Sequence, residues 1–238
     1  MRVRTLIRLL SRKSPTRLLA PVIAVLMPFA STLAQGSVSG RVTLQEKPGQ
    51  KTTDLDNAIV WLEPATPQTA RPRTTKVELA MRARQFAPHV RVIQAGSTVV
   101  FPNQDAFSHN IFSTTPGSSF DLGLYGRGQS KTQAFSRTGA IPVYCNIHAS
   151  MAAFVVVVPS AWYAQAGPDG RWTIPDVPEG AYTVHVWHER APRKTVAVQV
   201  GTSAVDVPEM QLDARGFVVV QHKDKLGLDY NAPGRIRY

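Results

Sequence analysis

Three metal-binding side chain types fall within seven residues in the stretch Cys145-Asn-Ile-His148-Ala-Ser-Met151. Cys145 is the only cysteine among the 238 residues. A thiolate, an imidazole and a thioether at this spacing let one tight loop wrap a single ion. Thiolate favours reduced copper, imidazole serves both oxidation states, and a weak axial thioether completes the set used by one-electron copper sites. The second imidazole must come from elsewhere, and His109 in FPNQDAFSHNIF is the candidate. It follows the strand-like STVVF after a polar turn, so it can meet the loop at one end of a β-sandwich. Zinc stays open as a rival ion, because cysteine and histidine bind it too. For Met151 the alternative is an ordinary core methionine. One cysteine is too few for the two-cysteine loop of a binuclear copper centre.

A site that must suit two oxidation states needs a rigid scaffold, and the sequence supplies strands throughout. Apolar residues alternate at Val38, Val42 and Leu44, at Val77, Leu79 and Met81, at Tyr182, Val184 and Val186, and at Val196, Val198 and Val200. Period two marks strands with one face in a core. The continuous apolar runs 151–159 (MAAFVVVVP) and 217–221 (FVVVQ) predict strands covered on both faces. Turn signals such as EKPGQ, TPGSS, GPDG and PDVPEG separate the strands, and no stretch has strong helical periodicity. The expected class is all-β, built from β-sandwiches.

Residues 73–159 resemble the cupredoxins, the small blue-copper proteins. The resemblance is carried by FAPHVRVIQAG (86–96), VVFPNQDAFSHN (99–110) and GAIPVYCNIHASM (139–151), and the short gap from His148 to Met151 is similar to that of amicyanin. It implies a Greek-key sandwich holding one copper ion on His109, Cys145, His148 and Met151. It also implies that Asn110 ties the ligand loops together by hydrogen bonds. The flanking phrases Gly36 to Leu44, Ala58 to Leu62 and Gly167 to Trp187 resemble a carboxypeptidase-regulatory-like, or carbohydrate-binding-like, sandwich. The expected order is therefore the first strands of an outer sandwich with a Pro/Thr-rich linker (35–72), the copper sandwich (73–159), the rest of the outer sandwich (160–213), and a last strand with a basic tail (214–238). As a whole the chain is similar to copper proteins labelled for methylamine utilization, a label that fixes no substrate.

Residues 1–34 carry six Lys and Arg and no acid, then an apolar run and the small-residue pattern Thr32-Leu33-Ala34. This is the layout of an export signal, with cleavage expected after Ala34 and delivery to the periplasm. Without those residues the net charge falls from +11 to +5. No basic run interleaved with aromatics remains, so nucleic acid is not an expected partner. A mildly positive surface suits an acidic redox protein instead. A lone thiol in an exported chain is an oxidation liability that metal ligation removes.

The remaining chemistry-bearing residues are expected in quieter roles. His89 reads as a surface residue. His185 and His188 sit an odd number apart on a strand, so they face opposite ways and cannot share a metal. Trp61, Trp162, Trp172 and Trp187 read as packing, with sugar stacking as the alternative. Phe107, Phe112 and Tyr125 are the expected apolar rim of the copper edge. There is no G-x-S-x-G, H-E-x-x-H or phosphate-binding loop, and Cys145 with His148 lacks a third orienting group for nucleophilic catalysis. The expected function is one-electron transfer between redox proteins by a carrier that is not an enzyme. The alternatives are copper storage or sensing, and a glycan- or protein-binding module with a structural metal.

Overall fold

The computed structural model describes residues 35–66 and 74–233. The expected leader, most of the expected linker (67–73) and the end of the basic tail (234–238) lie outside the described residues. Among the described residues, helix is confined to a single 3-10 turn, Leu55–Asn57. None of their helices is long and apolar enough to cross a membrane. The described residues are all-β.

The chain begins in an outer sandwich with β1 (Gln35–Gln45) and β2 (Ile59–Pro64). It then builds a second sandwich from ten strands. These are β3 (Lys76–Glu78), β4 (Ala80–Arg82), β5 (Gln85–Ala87), β6 (Val90–Gln94), β7 (Ser97–Pro102), β8 (His109–Ser113), β9 (Phe120–Tyr125), β10 (Ser130–Phe135), β11 (Gly139–Cys145) and β12 (Ala152–Val158). It returns to the outer sandwich with β13 (Tyr163–Gln165), β14 (Arg171–Pro178), β15 (Gly180–His188), β16 (Ala191–Val200), β17 (Val205–Asp206) and β18 (Met210–Asp213). The second sandwich is thus an insert between β2 and β13, which pair with each other through Trp61 and Tyr163.

In the outer sandwich a sheet ordered β13-β2-β15-β16 faces one in which β1 pairs with β14, β17 and β18. Val38, Leu62, Trp172, Val184 and Leu212 meet between them. Gly40 is required here, since a Cβ would stand 2.7 Å from the Trp172 ring. Gly170, in the GPDG turn, combines a φ of +79° with a Cβ position 2.1 Å from the Val42 carbonyl oxygen, so only glycine fits.

In the insert a sheet ordered β6-β12-β11-β8-β9 faces β10-β7-β3, with the β4–β5 hairpin beside them. Leu79, Phe101, Ile111, Val143 and Val155 fill the space between the sheets. The two sandwiches also pack on each other through a third apolar layer. Ile59 and Trp61 of β2 meet Val90 of β6 and Val156 and Val158 of β12 there. The continuous apolar run of β12 therefore has both faces covered. Ala153, Val155 and Val157 point into the insert, and Val156 and Val158 into the junction.

Two expectations need correction. The run 217–221 is not a strand, and Val218, Val219 and Val220 are 70%, 83% and 82% exposed. The last described strand ends at Asp213. Apolar, β-branched composition makes a strand only where a ladder partner exists, and this run has none. PDVPEG is not a free turn either. β14 runs through Pro178, absorbing Asp176 (φ +56°) where its register against β1 slips between Gly36 and Val38. This is a β-bulge, which lets one strand carry an extra residue.

Candidate metal centre

Cys145 ends β11 and His109 opens β8, two neighbouring strands paired at Cys145 and Ile111. The chain turns at once after Cys145. The Met151 N–H donates to the His148 carbonyl (3.0 Å) and the Cys145 N–H to the Met151 carbonyl (3.2 Å), so the seven-residue loop closes on itself. The loop before His109 is built around the buried Asn103 side chain. Its amide donates to the carbonyls of Phe107 (2.9 Å) and Tyr125 (3.1 Å), and its oxygen accepts the Asp105 N–H (3.0 Å).

These two loops bring His109, Cys145 and His148 together, with their ligand atoms all within 4.8 Å of one another. Nδ1 of His109 lies 3.5 Å from the sulfur and Nδ1 of His148 lies 3.7 Å from it. Atoms bound to one ion at about 2.0–2.3 Å, and spread by trigonal to tetrahedral angles, stand about 3.4–3.8 Å apart. Both nitrogen-to-sulfur distances therefore suit a shared ion. Cys145, His109 and Met151 have no exposed surface. Met151 packs in the same core as Cys145 and is tied to the loop through its backbone.

The electrostatics favour the ligand form of Cys145 and His148, whereas His109 without an ion is held toward its protonated form. Burial alone would push the Cys145 thiol up. The His109 ring and the N–H groups of Ile147, Asn110 and His148 outweigh it and hold the thiol below its usual range, as donors to a thiolate do. Burial and the positive charges of His109 and Arg84 push His148 down, which keeps its imidazole neutral. For His109, burial is outweighed by the Cys145 sulfur and the Asp105 carboxylate, and its pKa is raised.

Asp105 is the residue that sequence reasoning missed. Its carboxylate lies 2.9 Å from Nε2 of His109. With Nε2 held by Asp105, Nδ1 is the ring nitrogen turned to the sulfur, and it can ligate once an ion displaces its proton. The same carboxylate accepts the N–H groups of Ala83 (2.6 Å) and Arg84 (3.0 Å). Those two residues form the β4–β5 turn with φ of +54° and +59°, the left-handed pair of a two-residue hairpin. Burial raises the Asp105 carboxyl, but these donors and His109 outweigh it and hold it below the usual carboxylate range.

Asn110 links the two ligand loops through its backbone. Its carbonyl accepts the Asn146 N–H (2.8 Å), while its side chain donates to Asp121. Only one of the three expected rim aromatics is at the rim. Phe107 is 36% exposed, with its ring centroid 5.2 Å from His109 and 5.4 Å from His148. Phe112 and Tyr125 are buried, the latter donating to the Phe101 carbonyl. Both belong to rows of alternating or fully covered strand positions, which sequence proximity to a ligand does not override.

The other histidines stand apart from this cluster. His185 stacks on Trp61 (4.8 Å), and His188 lies on the opposite face with Nε2 3.0 Å from the Asp54 carbonyl. His89 is more than a surface residue, since it pairs with Glu189 across the junction of the two sandwiches (2.9 Å). Trp61 and Trp172 are buried, and Trp162 and Trp187 are half-buried against the same cores.

No protein-family model matches the chain, and no curated relative matches it. Among solved structures, amicyanin from Paracoccus versutus is similar to part of it at 18% identity, covering 41% of this chain and 97% of that one, with a TM-score of 0.33. A purple cupredoxin from Nitrosopumilus maritimus is similar at 23% identity over 34% of this chain and 99% of that one, TM-score 0.32. The copper-containing nitrite reductase NirK from Thermus scotoductus is similar at 23% identity over 41% of this chain, only 26% of that enzyme, TM-score 0.34.

Proposed function

We propose that the protein is an exported one-electron carrier. Its single copper ion would be held by His109, Cys145 and His148, with the Met151 thioether as a weak fourth partner. The observation that carries this reading is the convergence of one thiol and two imidazole Nδ1 atoms at one end of a β-sandwich, with Cys145 and His109 fully buried. A bound copper ion supplies the one-electron couple.

The chain's own groups do the rest. Cys145 offers a thiolate stabilised by three backbone donors. His109, fixed by Asp105, keeps its ring oriented without rearrangement. His148 is the partly exposed ligand, and Phe107 beside it reaches solvent, so this edge is the entry and exit for electrons. Arg84 lies over the Phe107 ring at 5.1 Å. Its charge at the rim suits a partner with an acidic face. The outer sandwich, of the carboxypeptidase-regulatory-like kind, serves in this reading as a brace. The test is direct: add copper(II) to the purified protein and record visible and EPR spectra. An intense thiolate-to-copper band with narrow hyperfine splitting is the expected result. A colourless protein that binds zinc at the same three residues would overturn the reading.

A further inference from the structure

After β18 the chain does not end in the outer sandwich. It crosses to the insert and lies along the outside of the ligand loop. Three consecutive residues there are each held by one residue of this last segment. The His222 ring stacks on Tyr144, with centroids 4.3 Å apart and planes within 17°. The Tyr230 hydroxyl donates to the Cys145 carbonyl at 2.6 Å. The Lys225 N–H donates to the Asn146 side-chain oxygen at 3.0 Å.

The segment is itself built to present these groups. Asp224, which is buried, accepts the N–H groups of Leu226 and Leu228 (2.9 Å each) and donates its own N–H to the Leu228 carbonyl. The Lys225 ammonium pairs with Asp121 at 2.6 Å, and Asp121 also receives the Asn110 side chain. Tyr230 meets the His222 ring edge-on at 5.2 Å. The segment is thus connected to both loops that carry the donors, across 79 and 85 residues of sequence.

We infer that residues 217–232 form a strap, and that Tyr230 and Lys225 are positioning residues which hold the loop 145–151 in its ligating shape before any metal arrives. A loop ordered in advance loses less freedom on binding, and ligand shells stay within tolerance only when a supporting shell locks them. The inference rests on the proposed copper site for its purpose, but the strap itself is testable without metal.

The experiment uses the full chain and two readouts. In the metal-free protein, alkylation of Cys145 by iodoacetamide requires the loop to open, because the sulfur is buried. Tyr230→Phe keeps the ring against His222 and removes the hydroxyl that bonds the Cys145 carbonyl and touches His222 Nδ1, so alkylation should quicken roughly three- to tenfold. Lys225→Met keeps its backbone bond to Asn146 and should show a smaller increase of about two- to threefold. Leu226→Ser, on the same strap but 74% exposed, should alkylate at the wild-type rate. In the copper-loaded protein Tyr230→Phe should displace the charge-transfer band, while the melting temperature of the metal-free fold moves little. Equal alkylation rates in wild type and Tyr230→Phe would overturn the strap. So would an increase in Leu226→Ser as large as in Tyr230→Phe. If wild type binds no copper yet Tyr230→Phe still alkylates faster, the strap stands and the electron-carrier reading falls.

Discussion

The two sandwiches are made of the same material and bury very different things. The outer core is a nearly pure apolar layer running from Val38 to Leu212, and its charged network of Arg190, Glu46 and Asp54 sits at one margin. The insert buries Asn103, Asp105, His109, Asn110 and Asn146 close to one end of its core. Burying polar groups costs free energy unless each finds a partner, and in the insert the partners are one another, nearby backbone groups, Asp121 and Lys225. The difference marks the insert as the sandwich with the candidate site. A core made for stability alone has no use for a carboxylate, two imidazoles and a thiol held edge to edge.

That contrast breaks if a cut in the apolar core reaches the site. Leu62 is fully buried in the outer sandwich, so Leu62→Ala should destabilise the protein by about 3 kcal/mol. The spectrum of the copper-loaded protein should not change. A shifted band in urea-free buffer would mean the two cores are one mechanical unit, and denaturant titration alongside the spectrum separates the two outcomes.

The converse cut sharpens the contrast. Asp105→Asn keeps the size of the side chain but weakens the acceptor for His109 and for the Ala83–Arg84 turn. Copper affinity, read by competition with a chelator, should fall about 10- to 100-fold. The outer core should keep its stability. An unchanged affinity would remove Asp105 from the site.

The smallest expected effect lies at the junction. Glu189 raises the His89 pKa, with burial opposing it. A raised histidine stabilises the fold fully below its unfolded value near 6.5 and loses that contribution as pH rises through the folded value. With the His89 side chain 38% exposed, screening leaves about 0.5 kcal/mol, or roughly 1–2 °C. The melting temperature of wild type should therefore exceed that of His89→Gln at pH 6 and converge with it by pH 8. A gap that widens with pH would reverse the sign and rule out the pair as described.

How far the sequence carries the reader follows from the range of each interaction. Strands are legible because alternation is local: Val38, Val42 and Leu44, and again Tyr182, Val184 and Val186, all face a core. The grouping of Cys145 with His148 is legible because only two residues separate them, and His109 because a strand end and polar turn precede it. Asp105 is not, since an acid four residues before a histidine is commonplace in loops and the turn it holds lies 21 and 22 residues upstream. Nor is the strap: FVVVQ has strand composition, and nothing local says that no ladder partner awaits it. Tyr230 gains its meaning only from a carbonyl 85 residues away.

The place of the insert has a consequence for time rather than for shape. β2 and β13 are hydrogen-bonded neighbours, yet roughly a hundred residues of chain separate them. Bringing such distant ends together against a floppy intervening chain is slow, whereas an insert that has already folded holds its own ends side by side. The outer core is therefore expected to close last, after the rate-limiting step. Leu62→Ala should then lose its stability almost wholly through faster unfolding, with the folding rate left as it was, an asymmetry that a stopped-flow chevron reads directly.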